Sequence, residues 1–531
     1  MNMNRVYIIL GILLCFVSGF MGCGQKSLPA LDEFISFKMD RDQIPGMTVC
    51  MVKDDRVVWR NGYGWANIEQ QMPMNDQSVF CVASIAKSVT AMAVLQLAER
   101  GQLDIDEPIN HYIPFVVRNP HFPEAEITIK QVLLHTSGIS NGPSLWRHFS
   151  NGDPAVSLAS WANGYFTPGS EFYHPEGNFE RWAPGENFQY SNGGYGLLAF
   201  LVEHVSGETF NQYCIEHIFK PLEMHRSSFL VSLLDSSEMA TMYGYGDFED
   251  MERDLARSRE QAEAMSVAGK PYPLYHYSSP ELGAGGLYTC AADLSHFLIA
   301  IMNGGSYRGK HVLSPQFLAG MFGPGVNREL LPPWFGDLGM GGYSMLLDNN
   351  RPVWGHTGAN PGVSSLMMFN PEIRMGAIVL ANRFVDIRDM ITWTFAEGFN
   401  TLNTIPLSQL DKSWRDYSDS YLRDHHDRRQ ITISVLPDHV PNESSVYVIG
   451  NHRYLGDWIS HGIPLEKQAD GKWEETFVFY DSTELVFNIT RGSWNNKAMD
   501  SEGNELPAMV YRVSQDTCLT IQVAQWQDDI L

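Results

Sequence analysis

Ser84-Ile85-Ala86-Lys87 stands directly before an apolar run that predicts a helix. The apolar side chains of this run recur at spacings of three and four, and Gly101 follows the last of them: Val89, Met92, Ala93, Leu95 and Leu97. This spacing favours a helix, and a glycine just past the final apolar residue is a common stop signal. Positions i and i+3 share one face of a helix. The sequence therefore predicts that the Ser84 hydroxyl and the Lys87 amine meet at the start of this helix.

This serine–lysine pair has a chemical interpretation and a structural one. A serine hydroxyl is a weak nucleophile until a neighbouring base removes its proton. An amine acts as that base only when it is uncharged, and burial favours the uncharged form by lowering the pKa. In the structural interpretation, Ser84 caps the helix and Lys87 lies on its solvated face. The S-x-x-K pattern alone does not choose between the two, because it is frequent in long chains.

Two further motifs favour the chemical interpretation. Tyr190-Ser191-Asn192 follows the turn signal Pro184-Gly185 and precedes another helical apolar pattern. Its tyrosine is predicted on a loop or helix entrance, where the phenol faces a cleft; the alternative is a core tyrosine. His356-Thr357-Gly358 precedes strand-like segments at Val363–Phe369 and Ile378–Leu380. The alternative for this motif is a plain turn in a β-hairpin.

In order and separation, the three motifs resemble those of the serine β-lactamase and penicillin-binding-protein superfamily, which are S-x-x-K, Y-x-N or S-x-N, and K-T-G. The tyrosine form of the second motif resembles class C β-lactamases and their esterase and peptidase relatives. Ile44-Pro45-Gly46-Met47, Leu133-Leu134-His135-Thr136-Ser137-Gly138 and Ala284-Gly285-Gly286-Leu287 add to the resemblance. It covers residues 31–405 and implies an α/β (α+β) fold, in which an antiparallel sheet is flanked by helices and accompanied by a helical subdomain.

The resemblance also implies a role for each motif residue. Ser84 is the expected nucleophile, and Lys87 and Tyr190 are the expected proton-transfer pair. Substrate contacts are expected from the remaining motif positions: Asn192, His356, Thr357, Gly358 and Ala359. The backbone N–H groups of Ser84 and Ala359 are expected to form an oxyanion hole, because fixed donors stabilise the negative carbonyl oxygen of the acyl-transfer transition state. No cofactor or metal is expected.

His356 departs from the superfamily pattern, since antibiotic-hydrolysing members usually carry lysine there. An ordinary histidine has a pKa of about 6.5 and is mostly uncharged at pH 7. Recognition of a substrate carboxylate should therefore be weak. We expect a serine hydrolase that acts on an ester or amide through an acyl-enzyme. The alternatives are a β-lactamase or D-alanyl-D-alanine carboxypeptidase, and a catalytically silent binding protein, against which the intact Ser84, Lys87 and Tyr190 argue.

Length and charge narrow the organisation and the partners. The chain has 531 residues, more than one hydrophobic core usually supports, so two or more domains are expected. Its formal net charge of −24 argues against nucleic-acid binding, which needs lysine and arginine at the phosphates. The same negative charge argues against electrostatic binding to anionic lipid. The expected partner is a small-molecule, peptide or ester substrate.

The first residues resemble a bacterial lipoprotein signal. An apolar run, Val6–Phe20, follows the basic Arg5 and is shorter than a membrane span of about 20 residues. Gly22-Cys23 follows this run, so residues 1–23 are expected to be a signal peptide, with a lipid anchor attached to Cys23 after cleavage. This predicts an exported protein of the cell envelope, in the periplasm, the outer membrane or at the cell surface. The alternative is ordinary cleavage and release.

The pattern changes after residue 405. Residues 406–429 are predicted to be a linker, because most of this stretch is highly charged. Residues 430–531 contain short alternating strands separated by turns, which predict a small C-terminal β-sandwich. Val448-Ile449-Gly450 and Leu455-Gly456-Asp457-Trp458 resemble a starch-binding-type carbohydrate-binding module. The resemblance implies a carbohydrate partner; the alternative, favoured by Met499 where the module tends to show a stacking tryptophan, is a structural or interaction role.

Three segments outside the motifs carry further expectations. Residues 140–180 are rich in glycine, proline, asparagine and aromatic residues and predict loops that border the cleft. Residues 251–264 are strongly charged and predict one exposed helix. Gly283-Ala284-Gly285-Gly286 predicts a tight turn, because Tyr288 stands where a dinucleotide-binding loop needs its third glycine.

Overall fold

A computed structural model describes residues 29–142, 148–246, 250–267, 269–331, 336–346, 352–388, 390–391, 394–395, 428–440, 444–450, 455, 463–480, 484–492 and 496–527. The described residues up to 395 form a mixed α/β structure, and those from 428 onwards form short strands. The predicted signal peptide with Cys23 and most of the predicted linker lie outside the described residues.

A seven-stranded antiparallel sheet is the centre of the mixed α/β structure. Its strands, in chain order, are Gly46–Lys53 (β1), Arg56–Asn67 (β2), Met72–Pro73 (β3), Tyr343–Leu346 (β4), Pro352–Asn360 (β5), Val363–Asn370 (β6) and Met375–Ala381 (β7). They lie in the order β4-β5-β6-β7-β1-β2-β3, so β7 pairs with the N-terminal strand β1. The strands predicted at residues 363–369 and 378–380 are confirmed as β6 and β7.

Both faces of this sheet are buried, which explains why most side chains of its central strands are apolar. Successive side chains of a strand point to opposite faces. Accordingly, Met368 and Val379 belong to one core cluster, and Met367 and Ile378 belong to the other. Every residue of β6 and β7 is buried. Helices must therefore cover the sheet from both sides.

The helices within the described residues are Pro29–Arg41 (α1), Ala86–Glu99 (α2), Ile129–Leu133 (α3), Leu158–Phe166 (α4), Asn192–Ser206 (α5), Phe210–Cys214 (α6), Asp250–Leu255 (α7), Arg259–Val267 (α8), Leu282–Gly285 (α9), Ala291–Met302 (α10) and Pro315–Met321 (α11). Leu31 of α1 packs in the core on one face. Leu95 of α2, Leu198 of α5 and Phe297 of α10 pack in the core on the other. The helix predicted after Ser84 is confirmed as α2.

Shorter elements connect these helices and strands. Single turns of 3₁₀ helix are formed by Ala83–Ile85, Ile109–His111, Val231–Leu233 and Arg328–Leu330, and a π-helical turn by Ile215–Phe219. Two-residue strands pair as Phe80–Cys81 with Tyr288–Thr289, Ser150–Asn151 with Tyr277–Ser278, Tyr243–Gly244 with Tyr272–Pro273, and Ser306–Tyr307 with Lys310–His311. The first of these pairs immediately precedes the turn that carries Ser84.

Two of the sequence-based predictions are wrong in part. Residues 140–180 contain the helix α4 in addition to loops. This helix is stabilised by core packing, since its Trp161 side chain is buried. The single helix predicted at residues 251–264 is two helices, α7 and α8. Ala256, between them, forms a β-bridge with Leu274, which interrupts the helical hydrogen bonding.

The C-terminal strands form two four-stranded sheets and a small ribbon around a shared core. The strands are Arg428–Pro437 (β8), Tyr447–Gly450 (β9), Ile463–Pro464 (β10), Glu466–Lys467 (β11), Trp473–Tyr480 (β12), Glu484–Thr490 (β13), Ala498–Met499 (β14), Met509–Arg512 (β15), Thr517–Val523 (β16) and Gln525–Trp526 (β17). The sheets have the orders β11-β12-β8-β16 and β10-β9-β13-β15, and β14 pairs with β17. Ile433 of one sheet and Phe487 of the other share one apolar cluster. The predicted domain boundaries at residues 405 and 430 stay predictions.

No helix within the described residues is both long enough and apolar enough to cross a membrane.

Candidate active site

Ser84 lies in a strained turn that leads into α2. The turn Ala83–Ile85 directly precedes the helix, and Ala83 has a φ of +46°, a backbone conformation that a residue with a Cβ rarely adopts. The Cys81 side chain supports the turn, because its Sγ accepts the Ala83 N–H at 3.4 Å. Ser84 is partly exposed, whereas Ala83 and Ile85 are fully buried. Such backbone strain is typical of functional sites.

The Lys87 amine is buried and surrounded by three oxygen atoms. Its Nζ lies 3.1 Å from Oγ of Ser84, 2.6 Å from Oδ1 of Asn192 and 2.5 Å from the carbonyl oxygen of Ala284. The amide and carbonyl oxygens can only accept hydrogen bonds, whereas a hydroxyl can also donate. An uncharged amine has two N–H groups and one lone pair. When both N–H groups bind the obligate acceptors, the lone pair therefore faces the Ser84 hydroxyl.

Burial favours this uncharged form. It lowers the pKa of Lys87 well below the ordinary lysine value, and the carboxylate of Glu281 acts in the opposite direction. Desolvation penalises the charged form of any buried group. The amine consequently becomes available as a base at a lower pH than a surface lysine does.

Tyr190 brings a protonated phenol to the same hydroxyl. Its side chain is hydrogen-bonded to Ser84, and its ring centroid lies 4.8 Å from Nζ of Lys87. Desolvation raises the pKa of Tyr190 well above the ordinary tyrosine value. The phenol therefore keeps its proton at neutral pH, so Tyr190 has a proton to offer and is not a phenolate base there.

Asn192 begins α5 and is held from two sides. Ser191 caps this helix by accepting the Gly194 N–H. The Asn192 N–H donates to Oδ1 of Asn141 at 2.7 Å, while its side chain binds Lys87. The structure thus places Asn192 against the amine, in addition to its expected position at the substrate.

His135 positions the Tyr190 segment, a role that the sequence does not reveal. Its Nδ1 accepts the Ser191 N–H at 3.0 Å, and its ring lies 4.5 Å from the Tyr190 ring and 4.9 Å from the Tyr195 ring, measured between centroids. Burial lowers the pKa of His135 well below the ordinary histidine value. An uncharged imidazole can accept the backbone N–H. The only signal in the sequence is the resemblance of the Leu133–Gly138 stretch, which by itself assigns no role to the histidine.

The third motif lies on β5, directly against the serine turn. A Cβ atom at Gly358 would lie 2.3 Å from the Val82 carbonyl oxygen and 3.0 Å from the Ser84 nitrogen, so only glycine fits without displacement. The next residue, Ala359, is exposed. The backbone of Gly358 therefore runs beside the Ser84 amide. The oxyanion hole formed by the N–H groups of Ser84 and Ala359 stays a prediction.

His356 and Thr357 complete this edge of the site. The His356 Nδ1–H donates to the Thr357 carbonyl oxygen at 2.5 Å, and burial, reinforced by Lys87, lowers the pKa of His356 to about 3. The Thr357 hydroxyl lies 2.5 Å from the Tyr343 hydroxyl. The imidazole is accordingly uncharged over the whole neutral range, more firmly than an ordinary histidine.

The prediction for Gly283–Gly286 needs correction. This stretch contributes most of the short helix α9 rather than a plain turn. The helix sets the Ala284 carbonyl against Lys87, and the Gly285 carbonyl accepts from the Cys81 thiol at 3.4 Å. The segment is therefore part of the site, although its local sequence indicates only a change of chain direction.

Comparisons with known proteins show the family of this chain. A family model described as Beta-lactamase matches residues 31–397. Protein flp of Staphylococcus aureus strain MW2 is 25% identical over 353 residues, which are 66% of this chain and 62% of that protein. The chain thus spans less than two thirds of the length of this relative.

Two solved structures share the fold. The octameric penicillin-binding protein homologue from Pyrococcus abyssi has a TM-score of 0.55 and 22% identity, covering 87% of this chain and 98% of that one. D-amino acid amidase from Ochrobactrum anthropi SV3 has a TM-score of 0.54 and 19% identity, covering 71% of this chain and all of that one (100%). The predicted fold class is confirmed by this likeness.

The close approach at Gly358 gives a test of the site geometry. Gly358→Ala is expected to slow acylation of Ser84 by roughly a hundredfold, because a displacement of about 1 Å at a catalytic site has an effect of this size. Gly285→Ala is the matched control, since a Cβ there would meet no atom closer than 3.6 Å. The reactivity of the Ser84 hydroxyl toward acylation is followed through its phosphonylation by a fluorophosphonate, which needs the same activated nucleophile. Equal rates for the two variants would contradict the described packing of β5 on the serine turn.

Proposed function

Because the chain belongs to the beta-lactamase family, we propose that it is a serine hydrolase that cleaves an ester or an amide through an acyl-enzyme on Ser84. The observation that carries the proposal is the position of the Ser84 hydroxyl between a buried amine, Lys87, and a protonated phenol, Tyr190. A base and an acid in contact with one hydroxyl are what acyl transfer needs.

The proposed reaction has two halves. Lys87 takes the Ser84 proton as Oγ attacks the substrate carbonyl carbon, and the N–H groups of Ser84 and Ala359 stabilise the resulting oxyanion. Tyr190 protonates the departing alcohol or amine, and the proton on Lys87 restores the phenol. Water then attacks the carbonyl carbon of the acyl-enzyme, and one of its protons passes to the Lys87–Tyr190 pair. The bond between this carbon and Oγ of Ser84 breaks, the pair returns a proton to Oγ, and the acid product leaves.

We propose that the substrate has no carboxylate next to its scissile bond. An uncharged His356 replaces the lysine of antibiotic-hydrolysing relatives, so this edge of the site lacks that cation. Arg388 is a cation close enough to Tyr343 to act on its pKa. Its guanidinium forms hydrogen bonds to both carboxylate oxygens of Asp386 and is therefore engaged by that carboxylate. The name of the structural relative D-amino acid amidase, which denotes an amide substrate, is consistent with this class.

The alternatives use the same fold differently. A β-lactamase or D-alanyl-D-alanine carboxypeptidase acts on a carboxylate-bearing substrate, and the likeness to a penicillin-binding protein homologue favours this alternative. A catalytically silent binding protein would not need the contact between Lys87 and Ser84. Both are outcomes of the experiments below.

Export and carbohydrate binding are further proposals. Lipidation at Cys23 and location in the cell envelope rest on the sequence of residues 1–23. A carbohydrate contact of the C-terminal strands rests on the module-like motifs, of which Gly456-Asp457-Trp458 lies outside the described residues. We propose that such a contact would bring the hydrolase to a glycan-attached ester.

Covalent labelling tests the proposed chemistry. Incubation with a fluorophosphonate is expected to add one adduct at Ser84, detected by intact mass spectrometry, and Ser84→Ala should abolish it. Ser88→Ala is the matched control, because the Ser88 hydroxyl is buried and donates to the Gly341 carbonyl oxygen, away from Lys87. No adduct in the wild type would refute the serine hydrolase function. Efficient turnover of a chromogenic cephalosporin beside a slow short-chain aryl ester would instead favour the β-lactamase alternative.

Tyr190→Phe is expected to lower kcat for an aryl ester by roughly a hundredfold or more, because general acid–base groups contribute effects of this size. Tyr195→Phe is the matched control: its hydroxyl donates to backbone carbonyls, and its ring lies 5.6 Å from Nζ of Lys87. We expect this control to change stability more than kcat. A near-normal kcat for Tyr190→Phe would remove Tyr190 from the mechanism.

The low pKa of His356 predicts how charge selectivity depends on pH. Between pH 8 and pH 5 the imidazole stays uncharged, so the KM ratio of a carboxylate-bearing ester to its neutral analogue should stay within about twofold, because the substrate carboxylate is also ionised throughout. His356→Lys should lower KM several-fold for the charged ester only. A fall in the wild-type KM ratio with a midpoint near the ordinary histidine pKa would contradict this prediction.

A further inference from the structure

Glu281 is a buried carboxylate close to the amine of the proposed active site. Only 4% of its surface is exposed. The Ser279 side chain is hydrogen-bonded to the carboxylate, but the buried Oε2 atom has no hydrogen-bond partner among the described residues. A buried carboxylate with an unsatisfied oxygen costs free energy. Its position therefore calls for a functional explanation.

Two helices connect Glu281 to the groups that hold Lys87. Glu281 directly precedes α9, and the Ala284 N–H donates to the Glu281 carbonyl oxygen at 2.9 Å. On α5, Gly196 lies four residues after Asn192, and therefore on the same face, one turn along. A Cβ atom at Gly196 would lie 2.7 Å from Cβ of Glu281. Glu281 thus packs against both segments from which Lys87 is bound.

The Glu281 carboxylate interacts electrostatically with Lys87 when the amine is protonated. Burial raises the pKa of Glu281 to about 7, whereas Ser279 and Lys87 lower it. The other titratable side chains around the pair are Tyr165 beside Glu281, and Tyr190, Tyr195, His135 and His356 around Lys87. Burial raises the pKa of each tyrosine and lowers that of each histidine, so these groups are uncharged at neutral pH. The charge on Glu281 is consequently the variable one near the amine.

We propose that Glu281 is a positioning residue whose carboxylate charge sets the fraction of Lys87 present as free amine. The inference rests on the acyl-transfer function proposed above. An ionised carboxylate stabilises the ammonium form of Lys87 and so withdraws the base from Ser84, whereas a neutral side chain at residue 281 does not. Glu281 thereby determines the lowest pH at which Ser84 reacts.

Glu281→Gln tests this role through a pH profile. Because the amide is uncharged, the acid limb of Ser84 acylation should move to lower pH by about one unit or more, the usual effect of removing a nearby opposite charge. One pH unit below the wild-type midpoint, the variant should be labelled by a fluorophosphonate several-fold faster. Ser279→Ala should move the limb in the same direction by a smaller amount, because it disfavours the ionised carboxylate.

Glu252→Gln is the matched control for a buried glutamate. Glu252 is fully buried and accepts hydrogen bonds from the Tyr272 hydroxyl and the Gly246 N–H. Replacing this carboxylate with an amide should lower the stability of the protein without moving the acid limb of the Ser84 reaction. Unchanged limbs in both Glu281→Gln and Ser279→Ala would overturn the inference, whatever their effect on stability.

The ionisation of Lys87 can also be followed without any turnover. In protein labelled with carbon-13 at lysine Cε, the Lys87 signal is assigned by its absence in Lys87→Met and titrated by NMR. We expect a lower midpoint in Glu281→Gln than in the wild type; equal midpoints would overturn the inference. If the wild type gives no fluorophosphonate adduct, the proposed function fails, and this titration still decides the role of Glu281.

Discussion

The site depends on one constraint, which is the burial of the Lys87 amine among three oxygen atoms. In the uncharged form of the amine, two of these oxygens accept its N–H groups, and its lone pair can face only the third. Oδ1 of Asn192 and the Ala284 carbonyl oxygen accept the two N–H groups of Lys87, and the remaining neighbour is the Ser84 hydroxyl. Burial favours the uncharged amine, and the two acceptors orient its lone pair toward the Ser84 hydroxyl. A solvated lysine would have neither property, because water would satisfy it in any orientation and keep it charged.

The fold serves this constraint by bringing together elements that are distant in sequence. The turn before α2 carries Ser84, α2 carries Lys87, α5 begins with Asn192, and α9 presents Ala284. The three helices pack against one another and belong to the core cluster on one face of the seven-stranded sheet. Strand β5 reaches the serine turn from that sheet, and it comes close because Gly358 has no side chain. The sheet therefore fixes the distance between the nucleophile and the predicted oxyanion hole.

The parts of the structure that could be predicted from the sequence are those with a local signal. The apolar spacing after Ser84 indicates α2, and the apolar runs near residues 363 and 378 indicate two buried strands. Tyr190-Ser191-Asn192 is predicted on a loop or helix entrance, and Ser191 caps α5. In each case the sequence pattern that gives the prediction lies within a few residues.

The parts that could not be predicted arise from contacts across the chain. Residues 283–286 indicate only a turn, because the bond between Ala284 and Lys87 spans 197 residues and leaves no periodic pattern. The burial of Glu281 and the stacking of His135 on Tyr190 depend on tertiary packing in the same way. The composition of residues 251–264 indicates one solvated helix. The β-bridge of Ala256 with Leu274, which separates α7 from α8, leaves no pattern in this composition.

The pH dependence of wild-type Ser84 reactivity, followed as phosphonylation by a fluorophosphonate from pH 5 to pH 11, tests the central claim most directly. An uncharged, buried Lys87 predicts that the rate reaches half of its plateau far below the ordinary lysine pKa of about 10.4. A rate that climbs with a midpoint near that ordinary value would mean that Lys87 is a solvated ammonium at neutral pH. Such a midpoint would contradict the role of Lys87 as the base that activates Ser84.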